Sequence, residues 1–474
     1  MPRPSRLSST QAPTLLLAVL LAACGRDATT SIGPLATSRS ADADVSAAGR
    51  GPRTAALAAV FAGNAEAVAA EPTLAPPGNP VDPWNEARLY AITNLAMHDA
   101  LNAVEPRYER YADSGPAEHG ASAAAAVLTA AHDAIVGGAP GAAAATDAWY
   151  AGALSALHEA PGIARGVAIG HRAAVAVLAR RAQDGTAAGG IAPYVPGTGP
   201  GDYRFTAPFN TPAFDFFGTG GFVDASNWAP TVTPFVIASA SQFRVTPPYG
   251  AGSNAEAVRT ARYTADFNEV ESIGCASCSA RSADQSEIAI FWRENTPTSW
   301  NRIARVVAER SGLDALDAAR LFAAVQMSEF DGFVAGLDSK YHYHFWRPVT
   351  AVTEAGTDGN PLTASVAGWQ EFAPPTPPIP DYPSTHAVTG ATAAAVIDAF
   401  VHAPPAFATT SGSLPGVTRH FADVDAAAKE NANSRVYIGY HFRYSTEVGL
   451  AQGRAVGAYV AAHALRPLHG TGLQ

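Results

Sequence analysis

Apolar residues recur at intervals of three and four along much of the chain, which is the spacing typical of amphipathic α-helices. In residues 85–104, NEARLYAITNLAMHDALNAV, the polar members His98, Asp99 and Asn102 are expected to be solvated or to support a site rather than to react. Alanine-rich segments predict further helices over residues 121–136, 143–158, 164–182 and 316–337. The pattern therefore predicts a mainly α protein made of helical bundles.

The helical pattern breaks between residues 189 and 252, where Gly, Pro, Phe and Thr follow one another without a period. We expect a loop-rich insertion in the helical domain here. Long ordered loops often cover active sites. Helical periodicity returns afterwards, and Ser282 and Gln285 fit a capping box at the start of the next helix.

The N-terminus has the pattern of an export signal. Two arginines precede the apolar run APTLLLAVLLAAC, which ends in small residues before Cys24, as in a bacterial lipoprotein signal. A cleaved signal with a chance cysteine is the alternative. We expect residues 1–24 to be a signal peptide, 25–70 a flexible tether and 71–474 the folded domain. The protein would then be exported to the periplasm or cell envelope, with a lipid on Cys24 as its only membrane contact.

Composition and charge narrow the possible functions. The 474 residues are 47% hydrophobic, which supports a large core, and the formal charge of −10 argues against nucleic acid as a partner. Gly, Pro or charged residues interrupt each later apolar run, so no membrane span is expected after the signal. Cys275 and Cys278 are expected to form a loop disulfide, with free thiols as the alternative. The sequence does not specify an oligomeric state.

A first polar stretch, KYHYHFWRPV, combines cations with aromatic residues. If it is helical, Lys340, His344 and Arg347 share one face and the helix ends at Pro348. The aromatic neighbours are too apolar for an exposed segment, and buried cations require an anion. His342 and His344 would lie on different faces of a helix, so we do not expect them to share a metal.

Two further stretches place a histidine beside groups that bind anions. In DYPSTHAVTGA, Pro383 suits a first helical turn, so backbone N–H groups and the Ser384 hydroxyl could face an anion with His386 beside them. A capped helix with a polar core histidine is the alternative. In SRVYIGYHF, Arg435 and His441 are about two helical turns apart and could approach one pocket from a single element.

The order Lys-x6-Arg-Pro, Pro-Ser-x-His and Ser-Arg-x5-His, within residues 330–465, resembles the phosphatidic acid phosphatase type 2 and haloperoxidase superfamily. The flanking residues resemble its bacterial vanadium-dependent haloperoxidase branch, from about residue 85 to 463. The resemblance implies a helical-bundle domain of that type. It also implies an oxyanion site formed by Lys340, Arg347, Ser384, the Thr385 N–H and Arg435. His441 would bind the metal of a vanadate cofactor, and His386 and Lys340 would be catalytic with it.

The activity implied by the resemblance is that of a vanadium-dependent haloperoxidase. Such an enzyme uses hydrogen peroxide to oxidise a halide to hypohalous acid, which halogenates a small organic substrate. One alternative is an exported acid phosphatase in which His441 forms a phosphohistidine and no vanadate is needed. A third hypothesis is a noncatalytic exported lipoprotein that binds phosphate and has no use for His386.

Two positions depart from the superfamily pattern. Thr385 stands where haloperoxidases usually have glycine, so its side chain is expected to narrow the pocket. Ser445 stands where an aspartate normally follows the last histidine by four residues. We expect Glu447 or Glu430 to supply the missing carboxylate from nearby. Both departures bear on how His441 is oriented.

Overall fold

The computed structural model describes residues 52–75, 81–157, 162–186, 194–210, 228–278 and 280–468. Within these ranges the protein is mainly helical, as the periodicity predicts. The predicted signal peptide with Cys24, and most of the predicted tether, lie outside the described residues. Parts of the predicted insertion, residues 189–193 and 211–227, also lie outside them.

The helices fall into three successive groups along the chain. The first group comprises Pro52–Ala70 (α1), Pro83–Val104 (α2), Ala123–Gly138 (α3), Ala143–Ser155 (α4) and Ile163–Arg181 (α5). The second comprises Trp228–Thr231 (α6), Asn254–Ala257 (α7), Ala261–Ile273 (α8), Ala283–Phe291 (α9) and Thr296–Arg310 (α10). The third comprises Ala315–Tyr343 (α11), Pro348–Glu354 (α12), Thr385–Val401 (α13), Val424–Tyr437 (α14) and Arg443–His463 (α15). The predicted helices are confirmed as α2, α3, α4, α5 and α11.

A short antiparallel hairpin separates α13 from α14. Its strands are Phe407–Thr410 (β1) and Thr418–Phe421 (β2), with Phe407 opposite Phe421. The described part of the predicted insertion consists of irregular segments, the four-residue helix α6 and two 3₁₀ turns, Ala240–Phe243 and Pro248–Gly250. These segments fit the loop-rich character that the sequence predicts for this region.

The long helix α11 occupies the centre of the protein. Almost every residue from Leu316 to Tyr341 is buried, which is the expected state of a helix that is apolar on most of its surface. Helix α2 packs along one side of α11, and α1, α3 and α5 pack on that side. Helix α13 packs along another side of α11, where α14 and α15 also lie. One continuous apolar cluster runs through both sides, from Ala56 to Leu465. Helix α11 therefore runs through this core, and its C-terminal end forms the beginning of the first polar stretch.

The predicted tether is wrong at its C-terminal end. Residues 52–70 form α1, in which Val60 and Ala67 are buried and the Asn64 side chain donates hydrogen bonds to Asn94 and Asn301. Alanine is the strongest helix former, and an apolar helix face gains free energy when it is buried. The folded domain therefore includes residues from Pro52 onward rather than from residue 71.

Helices α13 and α15 approach each other closely along a line of glycines. Gly449, Gly453 and Gly457 lie one turn apart on the face of α15 that contacts α13. A Cβ atom at Gly453 would lie 2.1 Å from the carbonyl oxygen of Val388, so a side chain would push the helices apart. The start of α13 is thereby fixed against α15.

The polar residues of α2 hold a loop rather than face solvent. His98, Asp99 and Asn102 are completely or almost completely buried. The Asp99 carboxylate accepts hydrogen bonds from the backbone N–H groups of residues 111, 112 and 113 at 2.7 to 3.0 Å. Asn102 accepts two more from the backbone N–H groups of residues 107 and 108. Buried polar groups need such partners, so these residues stabilise the loop after α2.

Three smaller expectations can be compared with the structure. The capping box between Ser282 and Gln285 is present at the start of α9. Cys275 and Cys278 form a disulfide, as predicted. None of the helices in the described ranges has the length and apolarity needed to cross a membrane.

Candidate active site

The first polar stretch begins in α11, and the chain turns between its two cations, Lys340 and Arg347. Helix α11 ends at Tyr343, and His344 adopts a left-handed conformation with φ of 49°, donating its N–H to the Lys340 carbonyl at 2.8 Å. Pro348 then begins α12 instead of ending α11, because proline lacks the N–H that a first helical residue does not need. The predicted single helix face through Lys340, His344 and Arg347 is therefore wrong.

The two cations of this stretch nevertheless converge on one backbone segment. The Lys340 ammonium donates to the carbonyls of Pro380 and Asp381 at 2.6 and 2.9 Å, and Arg347 Nε donates to the carbonyl of Ile379 at 2.7 Å. Both side chains are buried, and burial, reinforced by Arg347, holds the pKa of Lys340 well below its usual range. The carbonyls orient both cations but do not neutralise them.

The second polar stretch begins α13, but the helix begins after Pro383 rather than with it. Thr385 is its first residue and Ser384 the N-cap, so Pro383 lies before the helix rather than in its first turn. The Ser384 hydroxyl is completely buried and has no hydrogen-bond partner among the described residues. The Thr385 methyl group lies against α11, where a Cβ at Gly336 would approach it to 2.9 Å. The absence of a side chain at Gly336 thus makes room for the one added at Thr385.

The third polar stretch returns to Arg435 through a turn. Helix α14 ends at residue 437, and Gly439 has φ of +87°, a conformation that favours glycine. The N–H groups of Tyr440 and His441 then both donate to the Arg435 carbonyl, at 3.0 and 3.1 Å. His441 therefore lies beside Arg435 because of this turn, and the predicted helical spacing between them is wrong.

Arg347 and Asp381 both contact the His441 ring. A guanidinium nitrogen of Arg347 lies 2.8 Å from Nε2 and 3.4 Å from Nδ1, and Oδ1 of Asp381 lies 2.8 Å from Nδ1. A guanidinium can only donate, so its shorter contact favours a lone pair on Nε2 and the proton on Nδ1, the nitrogen nearer Asp381. Burial, followed by the charges of Arg347 and Lys340, holds the pKa of His441 well below its usual range. The imidazole is therefore neutral, with Nε2 available as a ligand.

The carboxylate that faces His441 comes from an unexpected position. Glu447 is exposed and pairs with an arginine of α8, whereas Glu430 pairs with an arginine of β2. Neither substitutes for the missing aspartate, so this expectation is wrong. Asp381 takes the place instead, and the Ser445 hydroxyl donates to its backbone carbonyl at 3.0 Å. Burial raises the pKa of Asp381 to about 7, against the opposing effect of neighbouring cations.

His386 is held by backbone groups at the end of α9. Its Nε2 donates to the carbonyl of Trp292 at 2.9 Å, and Arg435 donates to the same carbonyl at 3.2 Å. The Asn431 side chain donates to the His386 carbonyl at 3.1 Å. Burial, followed by the charge of Arg435, holds the pKa of His386 well below its usual range. The ring is therefore neutral near pH 7, and its Nδ1 is the nitrogen that can accept a proton.

The structure brings the predicted charged and histidine residues into one group. The pKa of His441 is lowered, after burial, by Arg347, Lys340, Arg435 and His386, so these four residues lie within electrostatic range of His441. Ser384 and Thr385 adjoin His386 in the chain. Outside this group, His342 is exposed and the His344 ring stacks on Tyr194.

Sequence reasoning missed three contributors to the site. Asp381 stood at the start of the quoted stretch DYPSTH, and its charge beside predicted buried cations was a usable signal. The sequence could not identify the Asn431 side chain or the Trp292 carbonyl as part of the site. Neither belongs to a motif, and a backbone carbonyl is present at every residue.

The charge balance of the site calls for an anion. Lys340 and Arg347 are buried, and Asp381 is the carboxylate whose charge acts on both of them within the described ranges. Buried charge without a counter-charge is costly, so an anion with several oxygens would complete this group. Ser384 adds a hydroxyl donor, and His441 adds a nitrogen that can bond to the central atom of the anion.

Comparisons with known proteins show similarity to vanadium-dependent haloperoxidases. A family model described as the VCPO second helical-bundle domain matches residues 320–470. The vanadium chloroperoxidase of Curvularia inaequalis is 25% identical over 270 residues, and the match covers 44% of this chain and 44% of that protein. The chain thus matches less than half the length of this relative.

Solved structures with the same fold cover more of the chain. A structure described as the first bacterial vanadium-dependent iodoperoxidase is 21% identical, with a TM-score of 0.69, and the match covers 89% of this chain and 98% of that one. A holo-type bacterial vanadium-dependent chloroperoxidase is 16% identical, with a TM-score of 0.61, over 80% of this chain and 91% of that one.

Proposed function

Because the chain belongs to the vanadium-dependent haloperoxidase family, we propose that it binds vanadate and uses hydrogen peroxide to oxidise a halide to hypohalous acid, which halogenates a small organic compound. The observation that carries the proposal is the neutral His441 ring, whose Nε2 contacts Arg347 and which lies within electrostatic range of Lys340 and Arg435. A phosphate-binding protein needs the cations but not a ligand nitrogen among them.

The residues present fit a tetrahedral oxyanion of high charge. Lys340, Arg347 and Arg435 would hold its oxygens and neutralise their charge, the buried Ser384 hydroxyl would gain a partner, and His441 Nε2 would be the ligand of the vanadium. The chemistry supplied by bound vanadate is Lewis-acid activation of hydrogen peroxide without a change in oxidation state.

The side chains around the cofactor have separate tasks. Neutral His386 accepts a proton from the incoming peroxide at Nδ1, while its Nε2–H stays bound to the Trp292 carbonyl. The Lys340 ammonium uses two of its three hydrogens on backbone carbonyls, so the third would be available to an oxygen of the bound anion. The buried aromatic residues Trp346 and Phe442 adjoin Arg347 and His441 in the chain and limit the access of water to this part of the site.

The activity can be tested on full-length protein stripped of metal and assayed with and without orthovanadate. Oxidation of chloride, bromide and iodide is followed by halogenation of a phenol dye with peroxide, and phosphatase activity by release of nitrophenol from its phosphate ester. We expect halogenation only with vanadate, and its loss in His441→Ala. Phosphate release that vanadate inhibits, without halogenation, would establish the phosphatase instead.

A second variant tests the noncatalytic hypothesis. His386→Ala removes the proton acceptor but none of the cations, so we expect halogenation to fall by about 10²- to 10⁴-fold while vanadate affinity, measured by calorimetry, changes little. Wild-type protein that binds vanadate and phosphate with neither activity would support a phosphate-binding lipoprotein.

We also propose that the protein is exported and attached to the cell envelope through a lipid on Cys24. The lipoprotein-like pattern of residues 1–24 supports this, and the disulfide between Cys275 and Cys278 suits an oxidising compartment. Cell fractionation tests it, since Cys24→Ser should move the protein from the membrane fraction to the soluble fraction. A wild-type protein that is already soluble would contradict the anchor.

A further inference from the structure

We propose that Asp381 is the positioning residue for His441, holding the ring with its proton on Nδ1 so that Nε2 is presented to the oxyanion. This inference rests on the proposed function for the identity of the oxyanion. It concerns a residue that acts through His441 rather than on the substrate. Ser445, at the position where the superfamily pattern has an aspartate, takes no part in charge compensation and serves to fix Asp381.

The contact between the two side chains is short and dry. His441 Nδ1 and Asp381 Oδ1 are 2.8 Å apart, and both side chains are almost fully buried. The Ser445 hydroxyl is 3.4 Å from the same nitrogen and donates at 3.0 Å to the Asp381 carbonyl. With its hydrogen directed at that carbonyl, the hydroxyl does not donate to the ring. The carboxylate is therefore the group that decides which nitrogen carries the proton.

Asp381 is held in place from three directions. Its N–H donates to the Phe345 carbonyl at 2.8 Å, and its carbonyl accepts from Lys340 and from Ser445. A carboxylate on a backbone fixed in this way cannot follow a ring that rotates, so it selects one ring orientation. The same residue thus orients Lys340 through its carbonyl and His441 through its carboxylate.

The contact with Arg347 supports the same proton arrangement. One guanidinium nitrogen lies 2.8 Å from Nε2 and 3.4 Å from Nδ1, and it also donates to the Tyr440 carbonyl at 2.9 Å. If Nε2 carried the proton, its shorter contact would be with a group that only donates, and Nδ1 would place its lone pair beside the carboxylate. Asp381 and the shorter Arg347 contact therefore both favour the Nδ1–H tautomer.

Replacing the Asp381 carboxylate distinguishes its positioning of His441 from the effect of its charge on a bound anion. Asp381→Asn removes a negative charge beside the anion site, so charge alone should tighten the binding of any anion. Loss of the orienting group should weaken the bond from His441 and lower vanadate affinity by about 10- to 100-fold. Orthophosphate, used as an oxyanion held mainly by the cations, should bind as tightly as in the wild type or more tightly. The two affinities are therefore expected to change in opposite directions.

The experiment measures vanadate and orthophosphate affinity by calorimetry and the His441 tautomer by ¹⁵N NMR of the vanadate-free protein. Wild-type protein should show the Nδ1–H form, and Asp381→Asn a mixture. Ser445→Asp in the Asp381→Asn background should restore both the tautomer and vanadate affinity, because position 445 is already 3.4 Å from Nδ1. Glu447→Gln is the matched control, since this exposed carboxylate pairs with Arg262, and should change none of these quantities.

Several outcomes would overturn the proposal. Vanadate and phosphate affinities that rise together in Asp381→Asn would show a purely electrostatic role. An Nε2–H tautomer in the wild type would show that Asp381 does not position His441. This measurement remains decisive if Asp381→Asn fails to fold. Wild-type protein that does not bind vanadate contradicts the proposed function instead, while the tautomer still tests Asp381 independently.

Discussion

Ser384 is a buried hydroxyl that the protein does not use for its own hydrogen bonding. It occupies the N-cap of α13, where a serine normally accepts from the backbone N–H two or three residues ahead, yet no such bond is present. An unsatisfied buried hydroxyl costs free energy unless a ligand uses it. Its position beside Thr385 and His386 makes the oxyanion the natural partner.

Ser384→Ala should therefore weaken vanadate binding without destabilising the vanadate-free protein. A hydrogen bond to a charged group contributes about 1.5 to 3 kcal/mol, so we expect a loss of affinity on the order of tenfold to a hundredfold. Calorimetry measures the affinity and thermal unfolding measures the stability.

A buried serine that already has a partner provides the control for this substitution. Ser328 in α11 donates to the Val325 carbonyl at 2.7 Å, three turns before Lys340. Ser328→Ala should leave vanadate affinity unchanged. A lowered melting temperature with unchanged affinity in Ser384→Ala would mean that this hydroxyl caps α13 rather than binding the anion.

At the scale of elements, the spacing between α13 and α15 determines where the start of α13 lies, and with it Ser384 and His386. Gly453→Ala should gain about 1 kcal/mol from helix propensity, but its Cβ would meet the Val388 carbonyl at 2.1 Å. Overpacking of this kind typically costs 1 to 3 kcal/mol, so the clash outweighs the propensity. We expect a lower melting temperature and weaker vanadate binding, because α13 must move.

The matched control is a helical glycine with no neighbour. Gly152 lies in α4, and a Cβ there would meet nothing within 4 Å, so Gly152→Ala should raise stability by about 1 kcal/mol. If both variants proved equally stable, α13 and α15 would tolerate a wider spacing. The glycines of α15 would then not determine the position of the start of α13.

The elements that the sequence predicted well are those whose own periodicity determines them. Apolar spacing was sufficient for α2, α3, α5 and α11, because each buries the face that the spacing marks. Helix α1 was missed because small residues were interpreted as a tether, although its alanines favour a helix and Val60 lies in the core. The end of α11 was missed because the left-handed turn at His344 depends on tertiary contacts.

The site shows the same division between local and long-range information. Motif order was enough to select Lys340, Arg347 and His441, and the structure places them together, while their roles in catalysis remain proposals. The contact between Asp381 and His441 joins positions 60 residues apart, and no local pattern encodes which carboxylate closes that distance. Ser445 marked a missing group, but only the fold could show where the substitute lies.

At the scale of the whole molecule, the core between α2, α10 and α11 contains buried acids far along α11 from the oxyanion site. Glu86 accepts hydrogen bonds from Tyr90, Thr298 and Asn295, and burial raises its pKa from 4.5 to about 8. Burial, followed by the charge of Glu86, also raises the pKa of Glu329 well above its usual range. The folded protein therefore holds protons here that the unfolded chain releases.

This difference predicts that stability falls as pH rises. Because the folded pKa of Glu86 exceeds the unfolded value, its protonated form contributes stability that is fully present below about pH 4.5 and is lost as pH rises through about 8. Glu86→Gln keeps a neutral, hydrogen-bonding side chain and removes this titration. We expect its free energy of unfolding, measured with urea from pH 5 to 9, to decline less steeply than that of the wild type. Glu309→Gln, at an exposed carboxylate near the end of α10, should keep the wild-type slope, and an equally steep decline in Glu86→Gln would place the titrating group elsewhere.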